Sequence, residues 1–455
     1  MTQNFDLIVL GVGMAAVSAA NKCAAAGWSV AVVDELPYGG TCALRGCDPK
    51  KMLRRGAEII DAARLMRGKG VEAGDLKIDW ADLMAFKRSF TDAMPDKIEG
   101  GLDKNGVSTF HGPARFLNDN TIEIGGEIGG ETRLQGRHIL IATGAEPRPL
   151  EFPGAEHVID STAFLELETL PRRIVFVGGG YISFEFAHIA ARAGSAVQIV
   201  QRGERPLKGF DPDLVDRLVA RGREAGVAVT TMTDLTSVER SGDGYTVHAE
   251  TDGKPTTFAA DLVVHGAGRV AAIDRLDLAA AGVEASEAGI RVDRHLKSVS
   301  NPAVFAAGDA ADTDGPPLTP VAVAEGKVAA SNMLKGDHAT VDYRGVPSVV
   351  FTIPELARVG MLESEAREQG RNVRVAFNDT SSWYSNLRVG ETHAATKILI
   401  DADSDEILGA HLLGPEYAEI VNFCGLAMRL GLKTRDLKSM IAAYPSVGSD
   451  LGSML

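Results

Sequence analysis

Phe5-Asp6-Leu7-Ile8-Val9-Leu10-Gly11-Val12-Gly13-Met14-Ala15-Ala16 decides the fold. An apolar run meets two spaced glycines, and an alanine-rich stretch follows to about Ala26. The pattern predicts a buried strand, a tight turn and a helix. A second apolar run, Ser29 to Val33, ends at Asp34, which lies 23 residues past Gly11. The unit reads as β-α-β with G-x-G-x-x-A at its turn. Gly11, Gly13 and Ala16 admit a pyrophosphate to the amides at the helix N-terminus, and Asp34 is placed to bind a ribose hydroxyl.

The pattern recurs. The strand Ile174–Val177 meets Gly178-Gly179-Gly180-Tyr181-Ile182-Ser183, a helix carries Glu185, and a strand Ala196–Val200 ends at Gln201-Arg202. Gln201 lies 23 residues past Gly178, the spacing of Asp34 from Gly11. Two fingerprints with one spacing imply two dinucleotide sites. An acid at the end of the second strand selects NAD through the ribose hydroxyl, whereas arginine accommodates the extra phosphate of NADP. Gln201 holds the acidic position here, followed by Arg202 with Arg205 and Lys208 nearby. NADPH, rather than NADH, is the expected second cofactor.

A third stretch carries reactive chemistry: Gly39-Gly40-Thr41-Cys42-Ala43-Leu44-Arg45-Gly46-Cys47-Asp48-Pro49-Lys50-Lys51. Two cysteines, C-x4-C, sit at what reads as a helix start, with Pro49 in the first turn. Unpaired amides there favour a thiolate, and Lys50 and Lys51 add positive charge. Such a pair can open, close and exchange electrons. A zinc site wants about four ligands, and there is no second cysteine pair to supply them. Cys23 and Cys424 fall in apolar helical patterns and read as core.

Further along, helical patterns cover Lys50–Met66 and Trp80–Lys104, and Val107–Ile124 alternates like strands. Arg137 to Pro147 is a strand running into a turn. Proline and glycine cluster through Pro147–Gly154, which marks a domain crossing. Val304–Asp309 is a short strand ending in Gly-Asp, and Leu318–Ala322 opens a helix of small residues. From about Val341 the texture changes to short strands (348–352, 373–377, 397–400 and 407–413) alternating with amphipathic helices (364–369 and 416–430), an α+β domain.

The 455 residues suffice for about three domains. Hydrophobic content of 45% and charged content of 24% are those of a globular protein. A net charge of −14 speaks against a nucleic-acid partner and gives no cause for attachment to an anionic membrane. Neither a signal peptide nor an apolar run long enough to span a bilayer is read. Four cysteines in such a chain point to a reducing cytoplasm, where a disulfide is catalytic rather than structural.

On these motifs, together with Ala142-Thr143-Gly144, Ala306–Asp309, Leu318–Ala322, Pro347–Gly360 and Gly409–Glu419, nearly the whole chain resembles the class I pyridine nucleotide–disulfide oxidoreductases. That family includes glutathione reductase, dihydrolipoamide dehydrogenase and mercuric reductase. The resemblance implies an α/β fold of two Rossmann-like domains and a C-terminal α+β dimerisation domain. The FAD domain would take residues 1–150 and 271–338, the NAD(P)H domain 151–270 and the dimerisation domain 339–455. It implies a homodimer in which the partner's tail completes each active site. Cys42 would attack substrate and Cys47 would lie next to the flavin as a charge-transfer thiolate. Lys50 matches the lysine near flavin N5, and Glu185 its ion-pair partner. Tyr181 matches the lid of the nicotinamide pocket, and Asp309 the aspartate that binds the ribityl chain. The expected cofactor contacts also include Gly40, Thr41, Lys51, Thr143, Gly144, Gly178, Gly180, Arg202, Lys208, Gly268, Thr319 and Ala322.

The tail departs from the family pattern. Where the family has His-Pro-Thr-x-x-Glu, this chain reads Tyr444-Pro445-Ser446-Val447-Gly448-Ser449, and no histidine follows His411. Tyrosine titrates near pH 10 against about 6.5 for histidine, so Tyr444 can donate a hydrogen bond to a departing thiolate but is a poor proton acceptor at neutral pH. Its alternative role is packing at the dimer interface. Met14, Asn21 and Lys327 stand where glutathione reductases hold glutathione, which disfavours that substrate. The C-terminal cysteine pair of mercuric reductases is absent. The expected activity is NADPH-dependent, FAD-mediated reduction of the Cys42–Cys47 disulfide and then of a small-molecule or thiol/disulfide acceptor. Direct transfer from flavin to a quinone, metal ion or dioxygen is the alternative, and a catalytically decayed flavin-binding protein a third.

Overall fold

In the computed structural model, residues 2–125 and 132–455 are described. They form two compact units. The first comprises residues up to Pro49, Phe86–Arg148 and Arg269–Tyr343; the second comprises Lys50–Ala85, Pro149–Gly268 and Arg344–Leu455.

The first unit is built on the strand Thr2–Leu10. It pairs in parallel with Val30–Asp34 on one side and Thr132–Ile141 on the other, and Val107–His111 extends the sheet beyond Val30–Asp34. Strand Thr132–Ile141 then pairs with Thr121–Ile124 at its start and Val304–Ala306 at its end. The central strands are buried on both faces, as the unbroken run Leu7–Leu10 requires. One face packs the helix Met14–Ala25 through Ala15, Ala16, Ala19, Ala20 and Cys23. Small side chains there let the helix Thr319–Lys335, with Ala329 and Ala330 fully buried, join the same core. Cys23 is thus core, as expected, and burial pushes its thiol up to about 12.

The expected single helix over 80–104 is two helices, Trp80–Thr91 and Met94–Lys104. Pro95 sits in the first turn of the second, where its missing N–H costs nothing, and it could not continue the first.

The second unit holds a parallel sheet, ordered Val227–Thr230, Ala196–Val200, Arg173–Val177, Leu262–His265 and Val158–Ile159. An antiparallel meander, Thr233–Ser241, Gly244–Thr251 and Lys254–Ala260, accompanies it. A separate five-stranded antiparallel sheet runs in the order Ser348–Val350, Glu355–Gly360, Ile407–Gly414, Ala395–Asp401 and Val373–Asp379. The helix Tyr417–Leu430 packs on that sheet and buries Cys424 completely.

Buried charge ties this unit together. Asp61 accepts from Arg192 at 2.8 Å and Arg221 at 2.7 Å, and Arg221 reaches Glu391 at 3.2 Å. Two buried histidines are held neutral. His188 Nδ1 accepts from the Ile353 amide, and burial lowers its pKa well below the usual value. His411, on the central strand, lies 2.9 Å from the Met361 carbonyl, and burial pushes it down to about 4. A depressed folded pKa leaves stability intact above the unfolded value of about 6.5 and removes it progressively as pH falls towards 4. Between pH 7 and pH 5, His411 alone is expected to cost about 2 kcal/mol. Urea unfolding at the two pH values checks this, and His411→Gln should remove that share of the pH dependence.

Candidate functional site

Within the first unit, Gly11 ends the first strand, Gly13 caps the helix Met14–Ala25 and Ala16 is buried in its first turn. The Asp34 carboxylate closes this loop: Oδ2 accepts from Val12 N at 2.7 Å and Oδ1 from Leu36 N at 2.9 Å. Burial raises its pKa, against those two amide bonds. A carboxylate has about four acceptor sites, so capacity for a ribose hydroxyl is left. Gly40 adopts φ +64°, and a Cβ there would fall 2.7 Å from the Gly13 Cα. The residue must be glycine for these two backbones to meet.

Thr41–Arg45 forms one wide helical turn, Gly46 breaks it, and the helix Cys47–Leu65 begins at the second cysteine. The expectation that both cysteines open one helix is therefore corrected. Gly46, at φ −154° and ψ −106°, interrupts the helical path, and only Cys47 stands at the N-terminus. Cys42 is half-buried and Cys47 exposed, both as reduced thiols. Cys42 is pushed up, first by its hydrogen bond to Cys47, then by burial and by Cys47's charge, against the opposing hydrogen bond with Thr319. Cys47 Sγ lies 3.7 Å from Thr319 Oγ1, within the reach of a sulfur hydrogen bond.

Thr319 opens the helix that also carries Ala322. Thr143 and Gly144 follow the strand Thr132–Ile141, and Thr143 Oγ1 is buried without a partner among the described residues. Asp309 occupies the turn Gly308–Ala310, where burial raises its pKa against the pull of Arg269. Sequence reasoning missed the residue that fixes this turn. Glu325 accepts from Gly308 N at 2.7 Å, Thr313 Oγ1 at 2.9 Å and the Tyr343 hydroxyl at 2.8 Å. Its one signal was its being the sole acid in that helix, set among small residues at its start.

The glycine cradle joining Gly13 to Gly40, the unpartnered buried hydroxyl of Thr143 and the buried Asp309 fit a flavin dinucleotide.

Within the second unit, Gly178 (φ +96°) ends a strand where an added Cβ would fall 2.6 Å from the Ala267 Cα. Gly180 caps the helix Tyr181–Arg192, and Gly268 follows Leu262–His265. Tyr181 is exposed. Gln201 Oε1 accepts from Gly179 N at 2.7 Å, the bond that Asp34 makes to Val12 in the first unit. Arg202 and Lys208 are exposed beside it, and Arg205 lies 3.8 Å from Asp216.

Lys50 and Glu185 form an ion pair, both buried. Glu185 Oε1 also accepts from Phe351 N at 2.7 Å. Arg54 donates to the carbonyls of Phe351 (2.9 Å) and Thr352 (2.8 Å), and Lys51 Nζ lies 3.8 Å from the Phe351 ring centroid. Burial, and then Arg54, lowers the Lys51 pKa. The charge of Lys50 is thus matched by Glu185, as the resemblance implied. Phe351 is the second residue that sequence reasoning did not single out.

Tyr444 belongs to the second unit and is 80% exposed. In the family's glutamate position, Ser449 Oγ donates to the Ser446 carbonyl. Asp450 accepts from Ser385.

The profile of the pyridine nucleotide–disulphide oxidoreductases matches residues 5–326, and the dimerisation domain of the same family matches 346–454. The chain is 33% identical to a mercuric reductase of Bacillus cereus over 98% of its length and 70% of that protein. It is 31% identical to a dihydrolipoyl dehydrogenase of Bacillus subtilis, covering 97% of this chain and 94% of that one. Its structure matches the Cu(II) complex of the HOCl-induced flavoprotein disulfide reductase RclA from Escherichia coli. That match has TM-score 0.90 and 27% identity, and covers 100% of this chain and 99% of the other.

Proposed function

Because the chain belongs to the pyridine nucleotide–disulphide oxidoreductase family, we propose that it is an NADPH-dependent reductase working through FAD and a Cys42–Cys47 disulfide, with an acceptor other than glutathione. The observation that carries this reading is the pair itself. Cys42 and Cys47 are hydrogen-bonded across one turn, the first half-buried and the second exposed at a helix start. The family is FAD-dependent and uses a pyridine nucleotide. When bound, FAD relays a hydride from the nicotinamide to the disulfide. A hydride added to a disulfide yields one thiol and one thiolate, so the electrons balance without an outside proton. Cys42 keeps the proton and Cys47 the charge. Cys42 then attacks a disulfide acceptor, its proton passing to the sulfur that leaves, and the Cys47 thiolate resolves the mixed disulfide and releases the second sulfur.

Lys50 sits one helical turn past Cys47, and its pairing with Glu185 fixes its ammonium while Phe351 N fixes Glu185. The exposed cations at Arg202 and Lys208, beside a neutral Gln201, favour NADPH. The helix Tyr417–Leu430 exposes Phe423, Leu426 and Leu430 at helical spacing, and Met440, Ile441 and Tyr444 follow. These apolar side chains fall in the matched dimerisation domain and support a homodimer. No helix among the described residues is long and apolar enough to cross a membrane, and the cysteine count supports a cytoplasmic location.

One observation favours a second reading, reduction of a thiol-bound metal ion. The tail has Tyr444 where a proton-accepting histidine would stand, and a metal ion needs no proton returned to a leaving thiol. One relative is a mercuric reductase, and RclA was solved with Cu(II).

Anaerobic titration with NADPH tests the proposal. The first two electrons are expected to raise a long-wavelength thiolate–flavin band while the flavin stays oxidised. Simple bleaching of the flavin would show that the disulfide is bypassed.

A further inference from the structure

Resting on the NADPH reading, we propose that Arg358 and Lys397, on the sheet of the dimerisation domain, are positioning residues for the segment that reads the 2′-phosphate of the nucleotide. That segment runs from Gln201 to Asp211 and exposes Arg202, Arg205 and Lys208. It is tied to the glycine turn, because Leu207 N donates to the Gly179 carbonyl at 2.8 Å. Pro206 and Leu207 are buried, and Leu207 shares a core with Leu356, Ala395 and Leu413. The cations themselves sit on backbone with no regular structure, so something must hold that backbone in place for them to meet a phosphate.

Three strands present one row of basic side chains. Arg358 lies directly opposite His411, and His411 opposite Lys397. Directly opposed residues share a face of the sheet. Two residues along, the same register gives Leu356, Leu413 and Ala395, the apolar row that shares the core with Leu207. The basic row takes the polar end of the segment. Arg358 donates to the Gly209 carbonyl and, at 2.7 Å, to that of Gly360. Lys397 Nζ lies 3.1 Å from Asp211, 2.8 Å from Asp213 and 2.9 Å from Glu363. Asp211 in turn caps the helix Pro212–Glu224, accepting from Asp213 N at 3.1 Å. Cations facing each other across a sheet repel, and His411, held neutral by burial, separates these two. Apolar side chains would fill the row without the cost of taking charge out of water. What the cations add is two directed anchors, at Gly209 and Asp211, one and three residues past Lys208.

The test uses FAD-loaded wild type, Arg358→Met, Arg358→Lys and the pair Lys397→Gln with Asp211→Asn. Methionine keeps the packing of the stem and strands no buried carboxylate, and asparagine keeps the helix cap. The Leu207 and Phe210 amides are both hydrogen-bonded. Their hydrogen exchange, followed by mass spectrometry on peptides spanning 202–211 without nucleotide, is expected to quicken about 10- to 100-fold in Arg358→Met, the weight of one hydrogen bond from a charged donor. KM for NADPH should rise about tenfold, with kcat and KM for NADH within about twofold, because NADH has no 2′-phosphate for Arg202 and Lys208 to hold. Arg358→Lys, which keeps a donor, should recover part of both effects. Wild-type exchange and KM in Arg358→Met and in the Lys397/Asp211 pair overturn the inference. So does an equal rise in KM for both nucleotides, the mark of a merely structural role. Arg202→Gln with Lys208→Gln isolates the NADPH reading. If that variant keeps the wild-type ratio of NADPH to NADH activity, the NADPH reading fails, and the exchange rates still decide whether Arg358 and Lys397 hold the segment.

Discussion

Cys42→Ser is expected to abolish reduction of any disulfide acceptor, by roughly a thousandfold or more, while NADPH still reduces the flavin at near wild-type rate. A thousandfold is about 4 kcal/mol of barrier, modest for replacing a thiolate nucleophile with a hydroxyl that stays protonated at neutral pH. Cys42 is half-buried in the wide turn Thr41–Arg45, and serine is nearly isosteric, so the turn and the Gly40–Gly13 contact should persist. Cys47 loses the S–H···S bond from Cys42, and the hydroxyl of the introduced serine can donate in its place. The long-wavelength band is therefore expected in the variant without prior reduction, because Cys47 has no disulfide partner left. Stopped-flow absorbance separates the two half-reactions. Wild-type turnover of a metal ion or quinone by Cys42→Ser would show direct transfer from the flavin, and the dithiol route would then be abandoned for that acceptor.

Much of this site is local in sequence, which is why it was legible. The loops at Gly11–Gly13 and Gly178–Gly180 carry their own strand, turn and helix, and so does the turn that sets Cys42 before Cys47. What the sequence could not show is what arrives from far along the chain. Glu325 reaches back to Gly308, and Phe351 offers its amide to Glu185 across 166 positions. Neither residue carries a spacing that announces its role, because each acts on a backbone group or side chain far from it in the chain. The meander at 233–260 escaped notice because its strands are half exposed and polar, leaving little apolar alternation to read. The break at Asp92–Ala93 was in principle legible from Pro95, since a proline fits a first turn and not a helix interior. The pairing of Lys50 with Glu185, which the resemblance implied, is present, and the fold adds the Phe351 amide that holds Glu185.

Gln201→Glu should reverse the nucleotide preference. In the first unit a carboxylate, Asp34, anchors the glycine loop through Val12 N; in the second an amide oxygen, Gln201 Oε1, makes the same 2.7 Å bond to Gly179 N. A glutamate can keep that bond with one oxygen, so the loop and the melting temperature should be unchanged. The other oxygen then replaces the amide nitrogen, which lies on the side of Gly203 and Lys208. There it would accept from the 2′-hydroxyl of NADH and repel the 2′-phosphate of NADPH. Each charge-assisted hydrogen bond gained or lost is about 1.5–3 kcal/mol, and every 1.4 kcal/mol is about tenfold in affinity. The expected result is a fall of about 100-fold in kcat/KM for NADPH with a rise of about tenfold for NADH. The wild-type preference for NADPH should also weaken as salt is raised, because Arg202 and Lys208 act from exposed positions that salt screens. An unchanged NADPH/NADH ratio in Gln201→Glu, with FAD content and melting temperature intact, would mean that the end of this strand does not read the ribose. The phosphate would then have to be recognised elsewhere in the second unit.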